Sequence, residues 1–401
     1  MDSIDDPHIA ERAWRPATRL VRGGCRRSPH GETSEALYLN SGFVYDDAEQ
    51  AEARFEGEAP GFVYSRYGNP TVAMFERRIA LLEGAEAAFA TATGMAAVFA
   101  SMMCQLKAGD RVVASRALFG SCSYIITQLL PRYGMETVLV DGPDLDQWRA
   151  ALAPGAACVF FETPANPTLE LIDIAAVSEL SHAAGAKVIV DNVFSTPLLQ
   201  RPLDLGADIV VYSGTKHIDG QGRCLGGVVV SSEDFRSGVL EPFMRHTGPC
   251  LSPFNAWVLL KGLETLDVRV ERQCRTTARL ADVLRDHSAV RRVMYPGHRE
   301  HPQYALGQRQ MSGSSTLVSF DLAGGKRAAF GFMNRLELVD ISNNLGDSKS
   351  LITHPGTTTH RTLSPEDRDR VGVTDGLVRL SVGLEDADDL ADDLRQALDG
   401  I

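Results

Sequence analysis

Asp191 and Lys216 stand 25 residues apart, each after a strand-like run: Lys187-Val-Ile-Val before the acid, Asp208-Ile-Val-Val-Tyr-Ser-Gly-Thr before the amine. That spacing leaves room for one crossover and return within a parallel sheet, which would deliver both groups to the same carboxyl edge. An amine can form a Schiff base with an aldehyde, and a carboxylate can hold a pyridine nitrogen protonated. Pyridoxal phosphate (PLP) needs both. Either residue alone is ordinary, a solvated lysine or a turn-forming aspartate. The residues that accompany them make the pair a candidate site.

A phosphate needs donors. Thr91-Ala-Thr-Gly-Met-Ala-Ala97 sets Gly94 and Met95 where a loop turns into a helix. Free backbone N–H groups and the positive end of the helix dipole suit an anion there. The run is not a Gly-x-Gly-x-x-Gly fingerprint, and a plain helix start would read the same way. Ser213 and Thr215 add hydroxyls beside the lysine turn. Tyr64 and Arg66, in Tyr64-Ser-Arg66-Tyr-Gly-Asn-Pro, put a phenol and a guanidinium on a loop before a helix. The planar arginine fork matches phosphate geometry. For the cofactor ring, Asn166 in Glu162-Thr-Pro-Ala-Asn-Pro167 has a side-chain donor for a phenolic oxygen, and Phe119 in Ala117-Leu-Phe-Gly120 offers a stacking face. In Leu377-Val-Arg-Leu-Ser-Val382, alternation sets Arg379 and Ser381 opposite Val378, Leu380 and Val382. If the polar face meets a cleft, Arg379 would grip a substrate α-carboxylate through two parallel hydrogen bonds.

The apolar pattern shows which elements would hold these residues. Strands are expected at 111–114, 136–140, 158–162, 188–191, 209–213 and 227–230. Near-continuous Val, Ile and Phe in several of them imply burial on both faces, as in a parallel sheet under helices. Asn69-Pro70 opens a helix that runs to Glu83, with Gly84 as its stop. Residues 87–106 carry no charge for 20 positions. Their Thr, Gly, Ser, Gln and many Ala read as a buried loop and helix, not a membrane span. Beyond Asn255 come helical patterns at 254–266 and 269–286, strands near 316–320, 337–341 and 377–382, and a closing helix at 386–398. The division expected is 1–60 as an N-terminal arm with no core of its own, packed on another subunit. Residues 61–255 would form the α/β cofactor-binding large domain and 256–401 a smaller α+β domain.

Composition removes other classes. A formal net charge of −12 argues against nucleic acid or anionic membrane as the main partner. Seven cysteines, scattered and never spaced as Cys-x-x-Cys, suggest reduced thiols, with neither a disulfide frame nor a metal site. The acidic start, Met1-Asp-Ser-Ile-Asp-Asp-Pro7, lacks the apolar core of a signal peptide, so the cytoplasm is the expected compartment.

Read together, Tyr64-Ser-Arg-Tyr-Gly-Asn-Pro-Thr71, Thr93-Gly-Met95, Asp191-Asn, Ser213-Gly-Thr-Lys-His217 and Val378-Arg-Leu-Ser-Val-Gly-Leu-Glu385 resemble the Cys/Met-metabolism PLP-dependent family. Its members include cystathionine γ-synthase, cystathionine lyases, methionine γ-lyase and the homoserine-ester sulfhydrylases. The resemblance covers nearly the whole chain. It implies the fold-type I, aminotransferase-like α/β architecture, with a mostly parallel sheet in the large domain. It also implies a homotetramer of two tight dimers with shared active sites, in which Tyr64 and Arg66 reach the phosphate of the neighbouring subunit.

Within the family, Ala117-Leu-Phe-Gly-Ser-Cys122, Lys216-His-Ile-Asp-Gly-Gln-Gly-Arg223 and Asn344-Leu-Gly-Asp-Ser-Lys-Ser-Leu-Ile-Thr-His-Pro355 resemble most the branch that joins a succinyl ester to sulfide. Many relatives carry Tyr where Phe119 stands, so a phenol role in proton handling does not carry over. Many cystathionine-handling relatives have an acid near Ser348, in the substrate-binding stretch. Its absence favours a small sulfur nucleophile over cysteine.

The reaction implied is γ-replacement: O-succinyl-L-homoserine plus sulfide gives L-homocysteine plus succinate, in methionine biosynthesis. Lys216 would carry protons, Asp191 would keep the pyridine nitrogen charged, and Tyr64 would help near the leaving group. Rivals inside the family are cystathionine γ-synthase, an O-acetylhomoserine sulfhydrylase and the γ-lyases. A non-catalytic binding protein of the same fold would lack the yellow colour of lysine-bound PLP. A nicotinamide-dependent oxidoreductase lacks its Gly-x-Gly-x-x-Gly after an early strand.

Overall fold

A computed structural model describes residues 13–401; the acidic opening stretch lies outside the described residues. Seven strands form the larger sheet: β1 (Ala87–Thr91), β2 (Arg111–Ser115), β3 (Glu136–Val140), β4 (Cys158–Glu162), β5 (Lys187–Asp191), β6 (Ile209–Ser213) and β7 (Gly227–Ser231). Their order is β1-β7-β6-β5-β4-β2-β3. β2 pairs in parallel with β3 and β4, and β4 with β5, whereas β1 runs antiparallel to β7. Every residue of β4 is buried, as a strand covered on both faces must be. The β4–β5 register sets Glu162 opposite Asp191, so two carboxyl groups end side by side.

β1 corrects the expectation of a loop at the start of 87–106. Ala-Ala-Phe-Ala-Thr has weak strand propensity by itself, and pairing with the valine-rich β7 decides its conformation.

The chain divides into two compact units. The first takes in the described residues up to Gln105, with Val211–Thr215 and Arg223–Thr265. Its helix α1 (Pro70–Glu83) starts where the Asn69 side chain accepts from the Thr71 N–H, and it stops at left-handed Gly84 (φ 76°). Helices α2 (Gly94–Met103) and α3 (Pro253–Leu263) complete the frame. Arg78 of α1 is fully buried and ties the N-terminal segment down. It donates to the carbonyls of Gly23 (2.8 Å) and Leu260 (3.2 Å) and to the Glu35 carboxylate (2.6 Å). Burial would push the Glu35 carboxyl up, but the bonds from Lys261 and Arg78 draw it down to about 2. Leaving such a buried pair half-made costs on the order of 3–5 kcal/mol, which fixes this stretch against α1 and α3.

The second unit takes in Leu106–Val210, Lys216–Gly222 and Leu266–Ile401. Its own five-stranded sheet has the order β10-β11-β12-β9-β8, from β8 (Val290–Met294), β9 (Leu317–Leu322), β10 (Asp340–Ile341), β11 (Leu351–Thr353) and β12 (Leu377–Ser381). Helices α4 (Leu266–Arg285) and α5 (Ala387–Asp399) cover one face. There Leu280, Leu284, Leu390 and Leu394 share a core with Phe320, Val378 and Leu380.

The strand expected over 337–341 shrinks to Asp340–Ile341. The N–H groups of Glu337, Leu338 and Val339 donate to the Asp393 carboxylate instead (2.8, 3.0 and 3.1 Å), which satisfies them outside a ladder. β8 and β11 were not expected. Arg291 and Arg292 interrupt the apolar alternation of the first, and the second has only three residues.

Among the described residues no helix is long and apolar enough to cross a membrane. All seven cysteines are free thiols. Burial pushes those of Cys104 and Cys274 up to about 12, and Cys122 well above its ordinary value.

Candidate active site

In the first unit, Thr93 caps α2: its hydroxyl oxygen accepts from the Ala96 N–H (3.0 Å), and Gly94 takes the first helical position. A Cβ on Gly94 would lie 2.6 Å from the Ser213 Cβ and 2.8 Å from its Oγ. The two chains of backbone therefore meet at a gap that only glycine leaves open, with the first N–H groups of α2, at Gly94 and Met95, beside a hydroxyl. That cradle fits a phosphate. Thr215 is more committed, because its Oγ1 accepts from the Gly226 N–H (3.2 Å) and bonds back to the Gly226 carbonyl (3.4 Å).

Gly94→Ala weakens PLP binding at least about tenfold in a fluorescence titration of refolded apoprotein, since the new methyl must displace Ser213. Unchanged affinity with intact circular dichroism would place the phosphate elsewhere.

Also in this unit, Tyr64 is 41% exposed. The Arg66 guanidinium lies 5.3 Å from the Tyr64 ring centre and 4.8 Å from that of Tyr67, and it donates to the Arg245 carbonyl. Stacking holds the fork in one orientation on its loop.

In the second unit, Lys216 follows directly after the Ser-Gly-Thr turn and is half-buried. Its Nζ donates to the Asn344 Oδ1. Burial, and then the positive charge of Arg379, lower its pKa to about 8. Arg379 is itself buried, which draws its guanidinium down to about 10. Its Nη1 donates to the Asn166 Oδ1 (2.7 Å), and Nη2 to the carbonyls of Asn343 (3.0 Å) and Asn344 (3.3 Å). Among the described residues its Nε is buried without a hydrogen-bond partner. A buried cation with one donor left over is a place for an anion, because an unmade bond there is costly. Ser381, on the same strand face, accepts the Gly346 N–H at its Oγ (2.9 Å).

Asp191 accepts the Val193 N–H (3.0 Å). The oxygen atoms of Asp191 and Glu162 and the sulfur of Cys122 all lie within 4.8 Å of one another. Glu162 also accepts the Phe119 N–H (2.7 Å), which fixes the aromatic loop. Burial raises both carboxyl groups, and the charge of Asp191 adds to the rise at Glu162. Burial favours the neutral forms of Glu162 and Cys122, which bond to each other and make a poor pair of metal ligands. A pyridinium facing Asp191 would pull its pKa back down by opposite charge.

The second unit thus brings Lys216, Arg379, Asn166, Phe119 and Asp191 into one connected set. Ser348 stays apart from those bonds: its hydroxyl turns to the Asp347 carboxylate (3.2 Å). Asn344, Glu162 and Cys122 were named in the sequence motifs but given no role. A pair of asparagines reads as a loop, and a glutamate at a strand end reads as a solvated one. The register that sets Glu162 opposite Asp191 is visible only once the strands are paired.

Comparison with known proteins agrees with this chemistry. The family model "Cys/Met metabolism PLP-dependent enzyme" matches residues 17–399. An O-succinylhomoserine sulfhydrylase of Mycobacterium tuberculosis is 58% identical over 400 residues, covering 99% of this chain and 98% of its own. One from Pseudomonas aeruginosa is 50% identical, covering 95% and 94%. A solved Campylobacter jejuni structure, described as an O-acetylhomoserine (thiol)-lyase with N'-pyridoxyl-lysine-5'-monophosphate, superposes with a TM-score of 0.93 at 31% identity, covering 96% of this chain and 100% of its own.

Proposed function

The chain belongs to the Cys/Met metabolism PLP-dependent enzyme family, and we propose that it catalyses γ-replacement on O-succinyl-L-homoserine with sulfide as the nucleophile. The C–O bond at Cγ breaks, succinate leaves with the bonding pair, and a C–S bond forms to give L-homocysteine. The observation that carries the reaction class is a half-buried lysine amine, lowered to about 8, within the field of a buried arginine whose Nε has no partner. Ester and nucleophile follow the names of the M. tuberculosis and P. aeruginosa relatives.

When bound, PLP supplies an aldehyde for the amine and a ring that accepts electrons. We assign its phosphate to Gly94, Met95, Ser213 and Thr215, its pyridine nitrogen to Asp191, its phenolic oxygen to Asn166 and its ring face to Phe119. Arg379 orients the substrate carboxylate through its spare Nε edge. Lys216 takes the Cα proton as a neutral amine and returns it, and Asn344 steers the amine between those duties. Burial, and then the charge of Asp191, push Glu162 towards its neutral form, which favours one carboxylate charge over two at the ring nitrogen. Ser348, with no acid to anchor a second amino-acid amine, leaves the nucleophile small.

The same reading makes the protein a cytoplasmic homotetramer, a dimer of dimers with shared sites, with 1–60 as the arm, 61–255 as the cofactor domain and 256–401 as the C-terminal domain. Supporting it, Leu39, Val44 and Phe55 expose 65%, 91% and 66% of their surface, more apolar area than a short segment leaves to water without a partner. Arg66→Ala should therefore weaken PLP retention, and oligomers reassembled from Arg66→Ala and Lys216→Ala subunits should regain activity. No recovery in such mixtures would return Tyr64 and Arg66 to their own subunit.

The reaction is tested by assaying succinyl and acetyl esters, each against sulfide and cysteine, with products identified by mass. Homocysteine from the succinyl ester and sulfide should dominate. If 2-oxobutyrate and ammonia dominate with sulfide present, γ-elimination replaces this reading.

A further inference from the structure

We propose that Arg361 binds the distal carboxylate of the succinyl ester and so selects succinyl- over acetyl-homoserine; this rests on the γ-replacement reading above. A cavity of about 1040 Å³ opens in the second unit, with Arg116, Phe119, Asn343, Thr359, Arg361 and Thr362 among its lining residues. Phe119 is the residue assigned to the ring face. The Asn343 carbonyl accepts from the Arg379 Nη2 (3.0 Å). A substrate with its α-carboxylate on Arg379 therefore has this cavity open to the ester end of its side chain.

Two cations line the cavity, and they differ. Arg116 is occupied: its Nε donates to Asp141 (2.9 Å) and its Nη2 to the Leu139 carbonyl (3.3 Å). Asp367, the acid on the wall, lies 4.0 Å from Arg370. Among the described residues the Arg361 guanidinium enters no ion pair and no hydrogen bond, while its backbone N–H donates to the Thr358 carbonyl (3.5 Å). The turn that presents it is braced. The Thr358 hydroxyl donates to the His354 carbonyl (2.8 Å), and the Thr359 hydroxyl bonds the His360 Nδ1 (2.8 Å). A planar guanidinium among hydroxyl-bearing walls matches a carboxylate through two parallel bonds. An acetyl ester ends in a methyl group and gains nothing from that fork.

The test compares holoenzymes carrying Arg361→Gln, Arg361→Lys and Arg116→Gln. For each, kcat/KM is measured with O-succinyl- and O-acetyl-homoserine against sulfide, and succinate binding is titrated by calorimetry. Arg361→Gln should lower the succinyl-to-acetyl ratio by about tenfold to a hundredfold and weaken succinate similarly. Arg361→Lys should fall between, because it keeps the charge and loses the fork. An unchanged ratio, equal loss for both esters, or a collapse in Arg116→Gln instead overturns the assignment. If wild-type enzyme turns over neither ester while succinate binding still depends on Arg361, the reaction falls and the subsite stands.

Discussion

Replacing Lys216 with alanine removes covalently held PLP and lowers turnover by at least about a thousandfold, because no other amine replaces its nucleophile and base. Borohydride treatment followed by peptide mapping should label residue 216 in the wild-type holoenzyme and leave the variant unlabelled. The pH behaviour has a fixed sign. A lysine reacts as the free amine, which predominates above its pKa. Burial and Arg379 bring that pKa to about 8, so capture of PLP by wild-type apoprotein is slow at pH 6.5 and accelerates through about 8. Label at another lysine, or a capture profile still climbing towards pH 10, would refute the assignment.

Arg379→Ala has the next largest effect. It removes the spare Nε donor and the charge behind it from the substrate carboxylate, and KM for the amino-acid ester should rise by about a hundredfold, the worth of a charge-assisted hydrogen bond in a buried site. It also takes a positive charge away from Lys216, which raises the lysine pKa and moves the capture profile to higher pH. Asn166 loses its 2.7 Å donor at the same time, so the absorbance band of the bound cofactor should shift while the cofactor stays attached. Unchanged KM would remove Arg379 from the substrate; outright loss of PLP would make it a cofactor ligand.

The parts of the fold that were legible had strong local signals. The apolar runs ending at Asp191 and Ser213 gave their strands within a residue, and the Asn69-Pro70 start with the Gly84 stop gave α1 its ends. β1 was hidden because alanine says little about conformation until the partner strand is known. The stretch 337–341 looked like a strand because Val339 and Ile341 alternate with charged neighbours, but a carboxylate from α5 satisfied the N–H groups of 337–339 first. At the candidate site, residue types announced Lys216, Asp191 and Arg379. Nothing in a single sequence announces that Asn344 receives the lysine or that Glu162 shares a corner with Asp191, because both depend on contacts far apart in the chain.

The buried thiols carry a consequence for an enzyme that works with sulfide and releases a thiol product. Disulfide exchange runs through the thiolate, and Cys104, Cys122 and Cys274 are held protonated far above neutral pH. These three sulfurs therefore stand aside from mixed-disulfide formation with the amino acid being made.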